Sequence, residues 1–104
     1  MAEYRIEGSE PAENDLRDIV RHISAQLDAP VTAEKMLDVI EEAVNSLEDM
    51  AQRYPLVIDE RLAAMGYRKL TVKNYFIFFT VDEKRKIVNV ERILYARRDW
   101  RGLL

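Results

Sequence analysis

Apolar residues recur through the first half of this chain at three- and four-residue intervals, and through the second half at every other residue. The first spacing marks one face of a helix and the second one face of a strand. Ala12, Leu16, Ile19, Val20, Ile23 and Leu27 form one helical stripe. Ser9 stands ahead of it as an N-cap, and Pro11 falls in the first turn, where its missing N–H has no intrahelical partner to lose. Ala29-Pro30 closes this helix, because proline disfavours α geometry in the residue before it. Thr32 is the expected cap of a second helix, whose stripe runs through Met36, Ile40, Ala43, Val44, Leu47, Met50 and Ala51 to a stop at Pro55. The short connection predicts a helical hairpin with one apolar side to bury. Before it, Tyr4-Arg5-Ile6 reads as an edge strand broken by Gly8 and Ser9.

The second half reads as strands. Residues 56–66 are a loop or a short helical turn from Asp59 to Met65, ended by Gly66. Tyr67 to Val72 alternates, with Arg68, Leu70 and Val72 on one face and Tyr67, Lys69 and Thr71 on the other. Lys73-Asn74 predicts a tight turn, with asparagine suited to positive φ. Tyr75 to Val81 is almost wholly apolar, as expected of a central strand covered on both faces. Asp82 to Arg85 turns the chain into a last strand, Ile87 to Tyr95. Val88 and Val90 share one parity there and Ile93 and Tyr95 the other, which predicts a β-bulge near Glu91-Arg92. The order is β-α-α-β-β-β, an α+β fold in which a helical hairpin packs on a mostly antiparallel sheet.

Composition narrows the chemistry. The 104 residues suit a single domain, residues 1–104. With no cysteine, thiolate metal sites and cysteine nucleophiles are excluded. The acidic opening MAEYRIEGSEPAEND is unlike a secretory leader, and no run approaches 18 apolar residues, so the expectation is a cytoplasmic protein without membrane contact. The formal charge of −3 conceals a division. Residues 1–52 hold 4 basic and 13 acidic side chains, and residues 53–104 hold 12 basic and 6 acidic ones. The basic half can meet an anionic partner even on an acidic protein, since distant charges are screened beyond about 8–10 Å.

Three stretches, GYRKLTV leading into NYFIFFTVDE, the Arg92-Ile93 pair of VERILY and the terminal RRDW, resemble the RelE/ParE family of bacterial toxins in order, spacing and position. The resemblance spans the chain. It implies the toxin of a type II toxin–antitoxin (plasmid stabilization) system, neutralised by a cognate antitoxin, with a homodimer or a heterotetramer with the antitoxin as assembly states. It implies no cofactor and no metal. Members of the RelE branch cleave mRNA on the ribosome by attack of the RNA 2′-hydroxyl. Members of the ParE branch arrest growth through DNA gyrase.

For RelE-like chemistry the resemblance implies a catalytic set of Lys69, Tyr95, Arg97 and Arg98, with cations to stabilise the phosphorane and Tyr95 for proton transfer. For binding of a target or antitoxin it implies Lys69, Lys73, Arg97, Arg98 and Trp100. The chain departs from the ribonuclease pattern at Phe76, where an arginine is expected, and at Tyr95, where a histidine is common. An apolar third strand and an RRD tail are ParE-like, so the ParE branch is the expected one, with the ribosome-dependent endonuclease as alternative. Trp100 suits either packing on the sheet or an exposed contact. His22 is expected on the surface, away from the basic tail.

Overall fold

Ser9 ends the first strand and starts the first helix in one residue. Its hydroxyl accepts from Ala12 N–H at 3.1 Å and donates to the Glu91 carbonyl at 2.8 Å, so the cap also ties the helix to the last strand. The computed structural model describes residues 3–104; Met1 and Ala2, the first of the acidic opening stretch, lie outside them. Strand β1 (Arg5–Gly8) leads into helix α1 (Glu10–Arg21). The helix continues as one π turn, His22–Gln26, closed by Leu27 N–H on the His22 carbonyl at 3.2 Å. Asp28, at φ 49°, then reverses the chain.

Helix α2 (Pro30–Asn45) begins three residues before the expected position. Its N-cap is Ala29, and Thr32 lies inside the helix. Pro30 explains the difference: its φ is already helical and it lacks the N–H that a cap would satisfy. The second stripe is one surface but not one helix. Ser46, whose hydroxyl donates to the Ala43 carbonyl at 2.6 Å, breaks it. It resumes as α3 (Leu47–Met50) and a 3-10 turn, Ala51–Arg53. The stretch that follows contains a short helix, α4 (Glu60–Ala64), capped by Asp59 through Leu62 N–H at 3.1 Å. Gly66, at φ 86°, ends it.

Strands β2 (Arg68–Val72), β3 (Tyr75–Asp82) and β4 (Ile87–Tyr95) complete a sheet of order β1-β4-β3-β2. β1 pairs parallel with β4 across the hairpin, and the other pairs are antiparallel. In the β2–β3 turn the positive φ falls on Lys73, at 53°, and not on Asn74. The expected bulge is present. Phe78 faces Arg92 and Phe79 faces Val90, leaving Glu91 without a partner.

Each face of the sheet has its own core. Ile77, Phe79, Val88, Val90 and Ile93 pack under the hairpin with Ile40, Leu47 and Ala51. Phe78 and Leu94 pack on the other face with Val57, Leu62 and Tyr67, joined by Phe76, Trp100, Leu103 and Leu104. The bulge explains why Ile93 serves the same core as Val88 and Val90 although its number has the other parity. Burying each Phe or Ile of β3 contributes up to roughly 1.5–3 kcal/mol.

One ion pair joins the layers. Arg92 Nε and Nη2 donate to the Asp15 carboxylate at 2.7 and 2.8 Å, and Ile93 N–H donates to the same carboxylate at 3.0 Å. Arg92 Nη1 also reaches the Leu103 carbonyl at 3.0 Å. α1, the bulge and the C-terminal turn (Arg101–Leu103) thus meet at a single guanidinium.

Candidate target-binding end

Ala96 N–H donates to the Asn74 carbonyl at 2.8 Å, which places the β2–β3 turn beside the loop after β4. Lys73, Arg97 and Arg98 therefore gather at one end of the sheet, all exposed. Neither Arg97 nor Arg98 forms an ion pair among the described residues, whose charged pairs lie elsewhere. Arg98 N–H donates to the Tyr95 carbonyl at 3.0 Å, a short turn that holds the loop.

A groove of about 480 Å³ opens beside these cations, between the end of α1 and the ends of β3 and β4. Ile19, Ile23, Leu27 and Ile93 make its apolar floor and wall, and Tyr75, Tyr95, His22, Asp15, Asp18 and Arg98 its polar margin. Tyr75 and Tyr95 meet edge to face at 5.8 Å. Burial pushes the Tyr75 hydroxyl above its ordinary pKa, and neighbouring Tyr95 adds to the shift. His22, expected away from the basic tail, is part of this margin. Its Nδ1 lies 2.9 Å from Gln26 Oε1. Tyr75, Leu27 and His22 are groove residues that no motif marks. The nearest signal was the apolar stripe of α1 continuing to Leu27.

The other two candidates lie elsewhere. Lys69 pairs with Phe78, whereas Tyr95 pairs with Tyr75. Phe78 and Tyr75 are three residues apart on one strand, so they face opposite sides of the sheet. Lys69 is thus on the face away from the groove, with its ammonium 4.2 Å from the centre of the Phe76 ring. Trp100 packs back onto Phe78 at 4.9 Å, with Arg101 over its ring at 4.9 Å. Among the described residues no group of three or more His, Asp or Glu is placed to hold a metal ion. Among the described residues no helix is long and apolar enough to cross a membrane.

A four-stranded sheet with a helical hairpin on one face and an arginine-bearing loop at its end is the RelE/ParE toxin fold. The structure is similar to a chain of the chromosomal ParDE toxin–antitoxin system from P. aeruginosa, with 25% identity and a TM-score of 0.75 over 91% of this chain and 98% of that one. It is also similar to a chain of the toxin–antitoxin complex RelBE2 from Mycobacterium tuberculosis, with 16% identity, a TM-score of 0.66, and 88% and 96% of the two chains covered. At that identity the second likeness concerns the fold alone. No curated protein matches the sequence significantly. A family profile described as the ParE toxin of type II toxin–antitoxin systems, parDE, matches residues 6–100. The chain belongs to the ParE toxin family.

Proposed function

We propose that this toxin arrests growth by binding DNA gyrase and that a cognate antitoxin neutralises it through protein–protein contact. The observation that carries the reading is the division of the ribonuclease-type set by the sheet. Lys69 and Tyr95 lie on opposite faces, and Phe76 takes the Lys69 ammonium where an arginine would serve a phosphate. Phosphoryl chemistry needs its cations and proton donor around one reacting atom. The match to ParE toxins supports the same reading. What remains at the exposed end is Lys73, Arg97 and Arg98 beside an apolar groove, a combination suited to gripping a protein surface. Arginine with aromatic neighbours is common among residues that dominate such contacts.

The experiment adds the purified toxin to gyrase and relaxed plasmid. Loss of supercoiling with accumulation of gyrase–DNA cleavage complexes is expected. Unchanged supercoiling, together with transcripts cut near their start codons in cells expressing the toxin, would favour the RelE-like alternative instead. One observation keeps that alternative in play, since Tyr95, Arg98 and His22 set a hydroxyl, a cation and an imidazole around one groove. Primer extension on translated mRNA, with and without Tyr95→Phe, separates the two.

A further inference from the structure

Arg98 lines the groove at the end of the sheet, whereas Lys73 and Arg97 do not. A protein segment seated in the groove therefore leaves those two cations facing whatever lies beside it. Lys73 takes φ 53° in the β2–β3 turn, an uncommon conformation for lysine in a turn that has asparagine one position on. The Asn74–Ala96 bond brings this turn beside the loop after β4, and the pairing of Tyr75 with Tyr95 aligns the two strands just before they end. Lys73, Arg97 and Arg98 are all exposed, and none is paired with a carboxylate among the described residues. Asp99 is the one acid in these two loops.

Three cations against one acid on adjoining loops suit a polyanion. Paired strands lie about 4.8 Å apart, and the phosphates of one DNA strand rise by about 3.4 Å each along the helix axis, so long side chains on two neighbouring loops reach about two successive phosphates. Tyr95, 42% exposed, adds a hydroxyl donor at the same place. The rest of the molecule argues against free DNA as the ligand. Residues 1–52 hold 13 acidic and 4 basic side chains and the formal charge is −3, so the chain as a whole is repelled by a polyanion. A duplex already fixed beside the groove meets the basic end alone.

We infer that Lys73 and Arg97 grip the phosphate backbone of the duplex that gyrase holds, while the groove engages gyrase itself. This rests on the reading that gyrase is the target, and it adds a nucleic-acid component to that contact. The toxin then binds a surface made jointly of enzyme and DNA, and its affinity depends on both.

Fluorescence anisotropy of the labelled full chain tests the inference, with gyrase alone, gyrase carrying a linear duplex, and the duplex alone as partners, each over a range of salt. The duplex is expected to tighten binding to gyrase roughly tenfold at low salt and to steepen the fall of log affinity with log salt by about 2, one unit for each phosphate contact. The double variant Lys73→Gln/Arg97→Gln is expected to lose that added slope and to lose roughly tenfold more affinity for gyrase–DNA than for gyrase alone. Equal affinity and equal slope with and without the duplex would mean that these cations face carboxylates of the protein; that overturns the DNA contact and leaves the gyrase reading standing. A gain from the duplex that the double variant keeps in full would be a change in gyrase itself and overturns the contact as well. Binding to the duplex alone as tight as to gyrase–DNA, and lost in the double variant, would support the phosphate contact while removing gyrase as its holder. Binding to none of the three partners removes both.

Discussion

Replacing Asp15 with alanine tests whether one ion pair holds the hairpin, the bulge and the C-terminal turn together. Asp15 and Arg92 retain 11% and 20% of their side-chain exposure. The substitution removes the bonds at 2.7 and 2.8 Å and the acceptor of Ile93 N–H, leaving Arg92 with the Leu103 carbonyl alone. Stripping one partner from a buried pair costs about 3–5 kcal/mol, and the remaining access of water lowers the expectation here to about 2–3 kcal/mol. In a domain of this size each kcal/mol moves the melting temperature by about 4–8 °C, so a drop of about 10–20 °C is expected. Urea and thermal unfolding of Asp15→Ala and Asp15→Asn measure it, with about half the loss expected for asparagine, which keeps an acceptor. The double variant Asp15→Leu/Arg92→Met is expected to lose less than Asp15→Ala alone, because no charge is left stranded. A loss under about 1 kcal/mol for Asp15→Ala would put the pair in the class of solvated surface bridges and refute the reasoning.

Further outcomes are expected. The Tyr4 hydroxyl donates to Glu83, and that bond, with burial, raises its pKa from 10.0 to about 12. The folded state therefore holds this proton longer than the unfolded one, so the contribution is complete below pH 10 and disappears as the pH rises towards 12; alkaline unfolding of Tyr4→Phe should lack that slope. Glu83, held below its ordinary value by Lys86 and then Tyr4, acts at the other end of the scale, and its contribution is lost as the pH falls through its folded value. Arg97→Ala and Arg98→Ala should each raise the toxin concentration needed for half-inhibition of gyrase roughly tenfold without moving the unfolding midpoint; a lowered midpoint would assign them to the fold. Trp100→Ala should cost about 2 kcal/mol of stability, with most of it recovered in Trp100→Phe, as measured by chemical denaturation. An unchanged midpoint would return Trp100 to the contact surface.

The helical hairpin, the edge position of β1, the central place of β3 and the bulge were all legible, because each follows from a period or from a break in one. Thr32 misled because a capping residue counts for little two positions after a proline that already sets the helix. The split at Ser46 left no trace in the stripe, since helix, turn and 3-10 helix can all present the same face over so short a span. At the candidate target-binding end, Lys73, Arg97 and Arg98 come together as a basic patch because the Asn74–Ala96 bond closes two loops on one another. Lys69 does not join them, a point readable only once register is known, because parity along β2 says nothing of which face of β4 carries Tyr95. His22 is on the surface as its place beside the stripe implies, but it shares a groove with Arg98, a proximity that no residue pattern announces.

The unpaired Glu91 has a consequence for how this toxin can vary. A strand of fixed period admits no change of length, yet β4 already contains a one-residue excess. Deleting that residue would let Arg92 follow Val90 in plain alternation, with Ile93 still under the hairpin, Leu94 still on the far side and the arginine loop still aimed as it is. The bulge is therefore the one place in this strand where the chain can shorten by a residue without exchanging the two cores beyond it.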